Sequence, residues 1–473
     1  MSTCQKQNLL FLYADQLALS AVGAYGNDII ETPNLDRLAE EGSMVKKAYI
    51  TQPPCTPARS SIITGLYPQK TGCIDNNIPL PDRELCLPEI ADFRDYKTAH
   101  FGKWHLGDEV FAQHGFAEWV SIEDGYRGFY SDDRDKSKHS DYYHFLRDNG
   151  FKPDKKTDDG FQFFSRQFAA RLPEQYSKPA FLAGETKKFI KENKENPFIL
   201  YLNFLEPHSP FFSCRDGQYS PAEIKLPESF YQEQVEGLPE KILEEQKITA
   251  AEGMDGIDLS CEEGWRRITA NYWGLVSLVD TYVGKIIGYL EENNIRENTA
   301  IVFTSDHGDM MGSHRLITKR YMFEEGIRVP LIFNIPGLDN QQNIMGPISQ
   351  IDIMPTLLDI LDRPIPDHLD GESLLPLIKG KESAENLNDV FVQSYNDGYK
   401  TSGRPRVIVT PEDWKLIYRQ NGEHQLYNLA DDPFEMKNLY DEEEYKELIN
   451  QLIERLLDCQ QKFDDRAVEV SNH

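Results

Sequence analysis

The chain has 473 residues, of which 40% are hydrophobic and 27% are charged, and its formal net charge at pH 7 is -28. This composition is typical of a folded globular protein, and we find neither a low-complexity tract nor an internal repeat. The negative charge argues against nucleic acid and against an anionic membrane surface as partners, because long-range repulsion opposes both. An anionic substrate would therefore require a locally basic site.

Cysteine usage and hydropathy exclude further classes of protein. The seven cysteines form an odd, dispersed set, which argues against a disulfide scaffold and against a zinc cluster. No run approaches the roughly 20 apolar residues of a membrane span. The first apolar run, Asn8–Tyr13, is too short and begins too early for a signal peptide. We therefore expect a cytoplasmic protein, although a chain that had lost its leader would look the same.

Short, continuous apolar runs alternate with helical patterns along most of the chain, which is typical of buried parallel strands in an α/β fold. Strands are predicted at Leu9–Tyr13, Thr98–Phe101, Phe198–Phe204, Ala300–Thr304 and Val329–Phe333. Helices are predicted at Pro33–Glu41 behind a Thr32 N-cap, and at Ala58–Thr64, Ala183–Glu192, Glu262–Glu291 and Met354–Leu361. The stretch from Gly125 to Lys178 shows no clear hydrophobic period. It is either a functional loop or a solvated loop, and the sequence does not distinguish the two.

The pattern changes past about residue 385. Four short strand patterns separated by Gly, Asn and Asp predict a small antiparallel sheet, followed by a charged helix over Glu442–Phe463. We therefore predict an α/β domain over residues 1–384 and a C-terminal subdomain over residues 385–473.

Polar residues follow four of the five predicted strands directly. They are Asp15 and Gln16, then Lys103 and His105, then Glu206 and His208, and finally Asp306, His307 and Asp309. Ligands of open α/β sheets bind outside the carboxyl ends of the strands, so parallel strands would bring these residues together.

The chemistry of this edge divides into two halves. Asp15, Asp306 and His307 are suitable ligands for a divalent cation. Positive charge and proton transfer would come from Lys103, His105, His208 and Lys319. A metal beside several cationic side chains indicates a dense anion between them, and sulfate and phosphate esters are the obvious candidates. Each residue alone also has an ordinary explanation, as a turn residue, a solvated lysine or a packed histidine.

The sharpest local signal is Cys55-Thr56-Pro57-Ala58-Arg59, followed by a short helix that ends in Thr64-Gly65. It resembles the signature of the type I sulfatases. Similar landmarks follow the family's order at 32–36, 102–105, 207–210, 305–309 and 426–429. The resemblance covers both predicted domains and implies the fold of the alkaline phosphatase superfamily: a large, mostly parallel sheet flanked by helices, with a smaller C-terminal antiparallel sheet and helix.

The resemblance also implies roles for the site residues. In that family the cysteine is converted to Cα-formylglycine by a maturation enzyme, and its hydrate is the nucleophile. Residue 55 would share a cation, Ca²⁺ or alternatively Mg²⁺ or Mn²⁺, with Asp15, Gln16, Asp306 and His307. Arg59 would hold the hydrate, and Lys103 and Lys319 would neutralise sulfate oxygens. His208 would protonate the leaving alcohol, and His105 would take a proton from the second hydroxyl of the hydrate.

One departure keeps an alternative open. Many sulfatases carry two consecutive aspartates after the first strand, whereas this chain has Asp15-Gln16, a pair found in phosphonate monoester hydrolases. The run Gly102–His105 favours a sulfatase. We therefore expect hydrolysis of a small anionic ester, a sulfated sugar by family resemblance, with a phosphonate monoester hydrolase or phosphodiesterase as the alternative. A non-catalytic binder of sulfated glycans, in which Cys55 stays a thiol, is a rival of another class. The oligomeric state is left open.

Overall fold

The computed structural model describes residues 6–232, 237–338, 342–383, 387–395 and 403–466. The strands are β1 (Asn8–Asp15), β2 (Ser43–Tyr49), β3 (Lys97–Gly102), β4 (Glu118–Val120), β5 (Lys155–Lys156), β6 (Gln162–Phe163), β7 (Phe198–Pro207), β8 (Thr299–Ser305), β9 (Arg328–Asn334), β10 (Ile344–Ser349), β11 (Val390–Gln393), β12 (Arg406–Val409), β13 (Trp414–Tyr418) and β14 (Gln425–Asn428).

Helices cover both faces of the large sheet. They are α1 (Pro33–Glu40), α2 (Cys55–Thr64), α3 (Pro68–Thr71), α4 (Leu87–Ile90), α5 (Asp141–Asp148), α6 (Arg166–Ala170), α7 (Lys178–Asn193), α8 (Glu228–Tyr231), α9 (Glu240–Glu252), α10 (Glu262–Glu292), α11 (Glu324–Ile327), α12 (Ile353–Ile360), α13 (Leu375–Ile378) and α14 (Lys446–Lys462). Among these described helices, none combines the length and the apolar composition that crossing a bilayer requires.

The large sheet has eight strands in the order β10-β2-β9-β8-β1-β7-β3-β4. β1 pairs in parallel with β7 and β8, and β7 pairs in parallel with β3. Leu10 and Leu12 face one core, whereas Leu9, Phe11 and Tyr13 face the other. Burial on both faces explains why β1 is a continuous apolar run rather than an alternating pattern. The predicted large, mostly parallel sheet flanked by helices is confirmed.

Three details differ from the sequence predictions. β9 runs antiparallel to both β8 and β2, so its expected parallel direction is wrong. β2 and β10 were not predicted, because β2 carries Lys46 and Lys47 and β10 carries Gly346 and Pro347. Thr32 does not cap α1 with its side chain; instead Asp280 of α10 accepts the backbone N–H groups of Asn34 and Leu35.

The C-terminal part forms a four-stranded antiparallel sheet in the order β11-β12-β13-β14, followed by α14, as predicted. The predicted domain boundary at 384/385 lies outside the described residues and stays a prediction.

A buried charge cluster joins this sheet to the rest of the fold. Lys415 on β13 is fully buried and its Nζ lies 3.1 Å from Glu324 Oε1 and 2.8 Å from Glu435 Oε1. Glu324 begins α11 and also accepts a hydrogen bond of 2.9 Å from the Tyr49 hydroxyl of β2. The small sheet therefore supplies the cation that a buried carboxylate of the large unit requires.

Candidate active site

The predicted convergence at one edge of the large sheet is present. Asp15 is the last residue of β1, Lys103 follows β3, and Asp306 and His307 follow β8. These strands are neighbours or next neighbours in the sheet, so their carboxyl ends lie side by side. Cys55, the first residue of α2, completes the group. Each of these five side chains is fully buried.

Four of the predicted metal ligands form one compact group. Ligand atoms of Asp15, Cys55, Asp306 and His307 all lie within 4.8 Å of one another. Cys55 Sγ lies 3.2 Å from His307 Nε2 and 4.0 Å from Asp15 Oδ1. His307 Nδ1 lies 2.9 Å from the Gly308 carbonyl oxygen, to which it donates, so its Nε2 lone pair faces the group. Two carboxylates and an imidazole lone pair fit a divalent cation.

Arg59 binds the two carboxylates of this group from behind. Its Nη2 lies 2.9 Å from Asp15 Oδ2 and its Nε lies 2.9 Å from Asp306 Oδ2. Nη1 donates to the Lys103 carbonyl oxygen at 2.8 Å. The planar guanidinium thus fixes the spacing of Asp15 and Asp306 and leaves their other oxygens for a cation. In the structure Arg59 orients the ligands; its predicted role of holding a hydrate at position 55 stays a prediction.

Two lysines bring positive charge to the same centre. Lys103 Nζ donates to Asp15 Oδ2 at 2.5 Å, and Lys319 Nζ lies 3.1 Å from Cys55 Sγ. Burial favours the neutral acid, yet the positive charges of Lys103 and Arg59 hold the pKa of Asp15 well below its usual range. Burial and Asp15 oppose ionisation of Cys55, but Lys319, Lys103 and His307 hold the pKa of its thiol well below its usual range. This local basic site resolves the conflict between an anionic substrate and an acidic protein.

Gln16 connects Lys319 to Asp309, which is not among the predicted site residues. Its Oε1 accepts from Lys319 Nζ at 2.7 Å, and its Nε2 donates to Asp309 Oδ2 at 2.5 Å. Its backbone N–H donates to Asp306 Oδ1 at 3.0 Å. Gln16 therefore orients a lysine and a carboxylate of the site; direct ligation of a metal by its side chain stays a prediction.

His105 is held in a left-handed backbone conformation, with φ 59°, near the start of the loop that follows β3. Its Nε2 lies 3.0 Å from Asn77 Oδ1, and its buried Nδ1 has no hydrogen-bond partner among the described residues. Because the Asn77 oxygen accepts, the proton is assigned to Nε2 and the lone pair to Nδ1. Burial and the Lys103 charge lower the pKa of His105 to about 4, so the ring is neutral near pH 7.

Two features of that loop place Lys103 and His105. Gly102 has φ +105°, and a Cβ there would lie 1.9 Å from the Asn203 carbonyl oxygen, so only glycine fits. Glu109 is 1% exposed and accepts the backbone N–H groups of Trp104 at 2.8 Å and His105 at 2.7 Å. Burial outweighs these hydrogen bonds and raises the pKa of Glu109 to about 7.

His208, after β7, lies on a different side of the site. Its Nδ1 is 2.9 Å from the Ser209 carbonyl oxygen and 3.5 Å from Arg166 Nη1. The shorter contact assigns the proton to Nδ1, which leaves Nε2 as the nitrogen that can exchange one. Burial, Lys319 and Lys103 hold the pKa of His208 well below its usual range, although Asp15 opposes them.

The structure thus brings every predicted site residue to one edge, and it adds several that the sequence did not indicate. These are Asn77, Glu109 and Arg166, together with Asp309, which supports the site through Gln16. Asp309 was noticed only as part of the polar run after β8. The others come from loops, and Arg166 comes from the stretch without a clear period.

Comparison with known proteins agrees with this geometry. Residues 7–363 match the sulfatase family, and residues 312–462 match the C-terminal part of N-sulphoglucosamine sulphohydrolase. An arylsulfatase from Clostridium perfringens is 30% identical over 470 residues, covering 94% of this chain and 93% of its own. The chain belongs to the sulfatase family. This sulfatase is therefore a hydrolase of sulfuric esters.

Solved structures share the fold of this sulfatase. One, determined in complex with its substrate D-glucosamine-2-N,6-O-disulfate, has a TM-score of 0.81 at 22% identity and covers 98% of this chain and 99% of its own. The phosphonate monoester hydrolase of Agrobacterium radiobacter has a TM-score of 0.77 at 24% identity and covers 97% and 96%. Both likenesses support the predicted fold.

Proposed function

We propose that this sulfatase hydrolyses a sulfate monoester of a carbohydrate, with residue 55 converted to Cα-formylglycine by a maturation enzyme and with a divalent cation beside it. One observation carries the proposal: the ligand group of Asp15, Cys55, Asp306 and His307 lies directly against three cations. These are Arg59, Lys103 and Lys319. A cluster of this kind suits an anionic ester whose oxygens face both metal and ammonium groups.

The ligand group would hold the cation, and its hard oxygen donors favour Ca²⁺, with Mg²⁺ or Mn²⁺ as alternatives. When bound, the cation lowers the pKa of a coordinated hydroxyl and withdraws charge from the ester. The modified residue would offer two hydroxyl groups on one carbon, one to attack sulfur and one whose proton can be removed. Lys103 and Lys319 would stabilise the sulfate oxygens as the bond to the leaving oxygen lengthens.

The two histidines lie where proton transfer is required. The Nδ1 lone pair of His105 is unpartnered among the described residues and faces the Cys55 side, which suits a base for position 55. Nε2 of His208 would protonate the leaving alcohol. In the free protein the surrounding lysines depress the pKa of His208. A bound sulfate ester brings negative charge that raises it, so we propose that the acid form develops with the substrate.

A carbohydrate is the proposed organic part of the ester. The partly exposed side chains beside His105 and His208 are Asn77, Tyr126 and Arg166. They offer an amide, a phenol and a guanidinium to hydroxyl groups, which suits a polar leaving alcohol. The sulfated glucosamine that the structural neighbour binds supports the same substrate class.

The peptide mass around Cys55 tests the proposal, on protein purified from a host that matures sulfatases. We expect a loss of about 18 Da relative to the thiol peptide, together with turnover of sulfate monoesters. An unmodified thiol without turnover would favour a glycan binder instead.

A phosphonate monoester hydrolase is the second candidate, and the pair Asp15-Gln16 favours it. The ratio of kcat/KM for a nitrophenyl sulfate to that for a phenyl phosphonate monoester distinguishes the two. We expect sulfate to be preferred; a reversed ratio would assign the site to phosphonate chemistry.

A further inference from the structure

Arg166, at the first position of α6, has one guanidinium nitrogen that the described residues leave nearly unused. Its Nε donates to Glu123 Oε2 at 2.6 Å, and its Nη2 lies 2.5 Å from the same oxygen and 2.9 Å from the Tyr126 hydroxyl. Nη1 has one long contact, 3.5 Å to His208 Nδ1. That nitrogen is assigned a proton by its shorter contact with Ser209, so it is a poor acceptor. Two N–H bonds of Nη1 are therefore available to an additional acceptor.

The charge of Arg166 is not cancelled by its partner. Glu123 is buried and is shared with Lys178, whose ammonium also contacts it. One carboxylate against two cations leaves one positive charge. Glu206 faces Lys178, but burial raises its pKa to about 7, so this carboxyl is only partly ionised near neutral pH. A net positive charge thus remains beside His208.

Arg166 also has a defined place relative to the reacting bond. The side chain is 26% exposed, so a ligand can reach it. It contacts His208, the proposed acid for the leaving alcohol, and it contacts Tyr126, whose ring lies 4.4 Å from that of His105. Lys103 and Lys319, in contrast, lie at the cysteine end of the site. Arg166 therefore lies beside His208, on the side where the proposed function places the leaving alcohol.

We propose that Arg166 forms a subsite for a second anionic group, a carboxylate or a further sulfate, carried by the leaving alcohol. The inference rests on the proposed function, because it takes His208 to mark the leaving-group side. It implies that the preferred substrate is a doubly anionic sugar, such as a sulfated uronic acid or a disulfated hexosamine. Guanidinium binds both kinds of oxyanion through charge-assisted hydrogen bonds.

The test compares Arg166→Gln with the parent on matched sugars. One pair is N-acetylglucosamine 6-O-sulfate and D-glucosamine-2-N,6-O-disulfate, and another is a hexose monosulfate and the hexuronic acid sulfated at the same position. We expect the substitution to lower kcat/KM for the preferred doubly anionic member on the order of 10- to 100-fold, mainly through KM. We expect kcat/KM for the singly anionic member of the same pair to fall far less. The pair that responds identifies the second group as sulfate or carboxylate.

Arg215→Gln is the matched control. Arg215 also binds a glutamate through Nε and Nη2, at 2.7 Å and 3.0 Å from Glu174, and it has no described contact with the site residues. We expect this variant to keep the parent's preference between the paired sugars. Because Lys178 still neutralises Glu123 in Arg166→Gln, we expect that variant to fold, and its unfolding temperature checks this.

Two results would overturn the inference while leaving the proposed function intact. One is a parent that turns over nitrophenyl sulfate and shows no preference for any doubly anionic sugar. The other is an Arg166→Gln variant that loses the same factor on both members of each pair, which would assign Arg166 a structural role. Failure of matured parent protein to hydrolyse any sulfate ester would instead refute the proposed function itself.

Discussion

Replacement of Glu109 by glutamine tests how the loop carrying Lys103 and His105 is held. The carboxyl group is 1% exposed and accepts two backbone N–H groups. Burial raises its pKa from 4.5 to about 7. When a group binds its proton more tightly in the folded state than in the unfolded state, the free energy of unfolding of the protein falls as the pH rises. The loss begins near the unfolded pKa of 4.5 and is complete above about 7.

The size of this effect follows from the same interval. At roughly 1.4 kcal/mol per pH unit, a pKa that moves from 4.5 to about 7 costs about 3 kcal/mol once the carboxyl is ionised. Glutamine does not ionise, and its amide nitrogen cannot accept, so the variant loses one of the two backbone hydrogen bonds at every pH. This loss is independent of pH. We therefore expect the free energy of unfolding of Glu109→Gln, relative to that of the parent, to rise by about 3 kcal/mol between pH 5 and pH 8.

Urea unfolding of both proteins between pH 5 and pH 8, at fixed metal concentration, measures this difference. The informative quantity is the difference in free energy of unfolding between the two proteins, because every other titrating group contributes equally to both. If it stays constant across this range, Glu109 does not ionise in a buried site and the argument from its burial fails. A stability of the variant that falls relative to the parent as the pH rises would mean that the two backbone hydrogen bonds dominate over burial and favour the carboxylate.

Three further predictions concern the chemistry. Cys55→Ser should abolish turnover and leave the unfolding temperature nearly unchanged, and parental turnover in this variant would contradict a formylglycine mechanism. His208→Ala should reduce hydrolysis of sugar sulfates far more than that of nitrophenyl sulfate, whose leaving group needs little protonation; equal losses would remove His208 from the general-acid role. A chelator should lower the stability of the parent by about 3 kcal/mol relative to metal at a hundredfold excess over Kd, and Asp306→Asn should lack most of this response. A chelator effect that is equal in both proteins would locate the cation elsewhere.

Most of the large sheet could be predicted because its central strands are buried on both faces. β1 and β8 are continuous apolar runs, and all of their residues are buried. The two strands at one lateral edge of the sheet, β10 and β2, have a weaker apolar pattern. In β2 two lysines lie partly exposed in the middle of the strand, and β10 carries a proline, so neither has the pattern of a buried strand.

The site could be predicted where its residues directly follow strands. Asp15 and Asp306 were found in this way, because topology alone brings strand ends together. Glu109, Asn77 and Arg166 were not predicted. The first two lie in loops and Arg166 begins the short helix α6, and the sequence pattern does not encode the path of the chain through these segments. The cap of α1 shows the same limit: Asn34 receives it from Asp280, 246 positions away, where local rules indicated Thr32.

The burial of Lys415 has a consequence for biosynthesis. Its partner Glu324 lies five residues after Lys319 in the chain. Glu324 and Lys415 themselves are separated by 91 positions. Arg328, four residues after Glu324, also lies 3.5 Å from it, but the fully buried cation emerges from the ribosome much later. We therefore expect the segment that presents Lys319 to reach its final packing only after β13 has been synthesised. A nascent chain halted before β13 would hold the two aspartates and the cysteine of its centre, and would still lack a finished site.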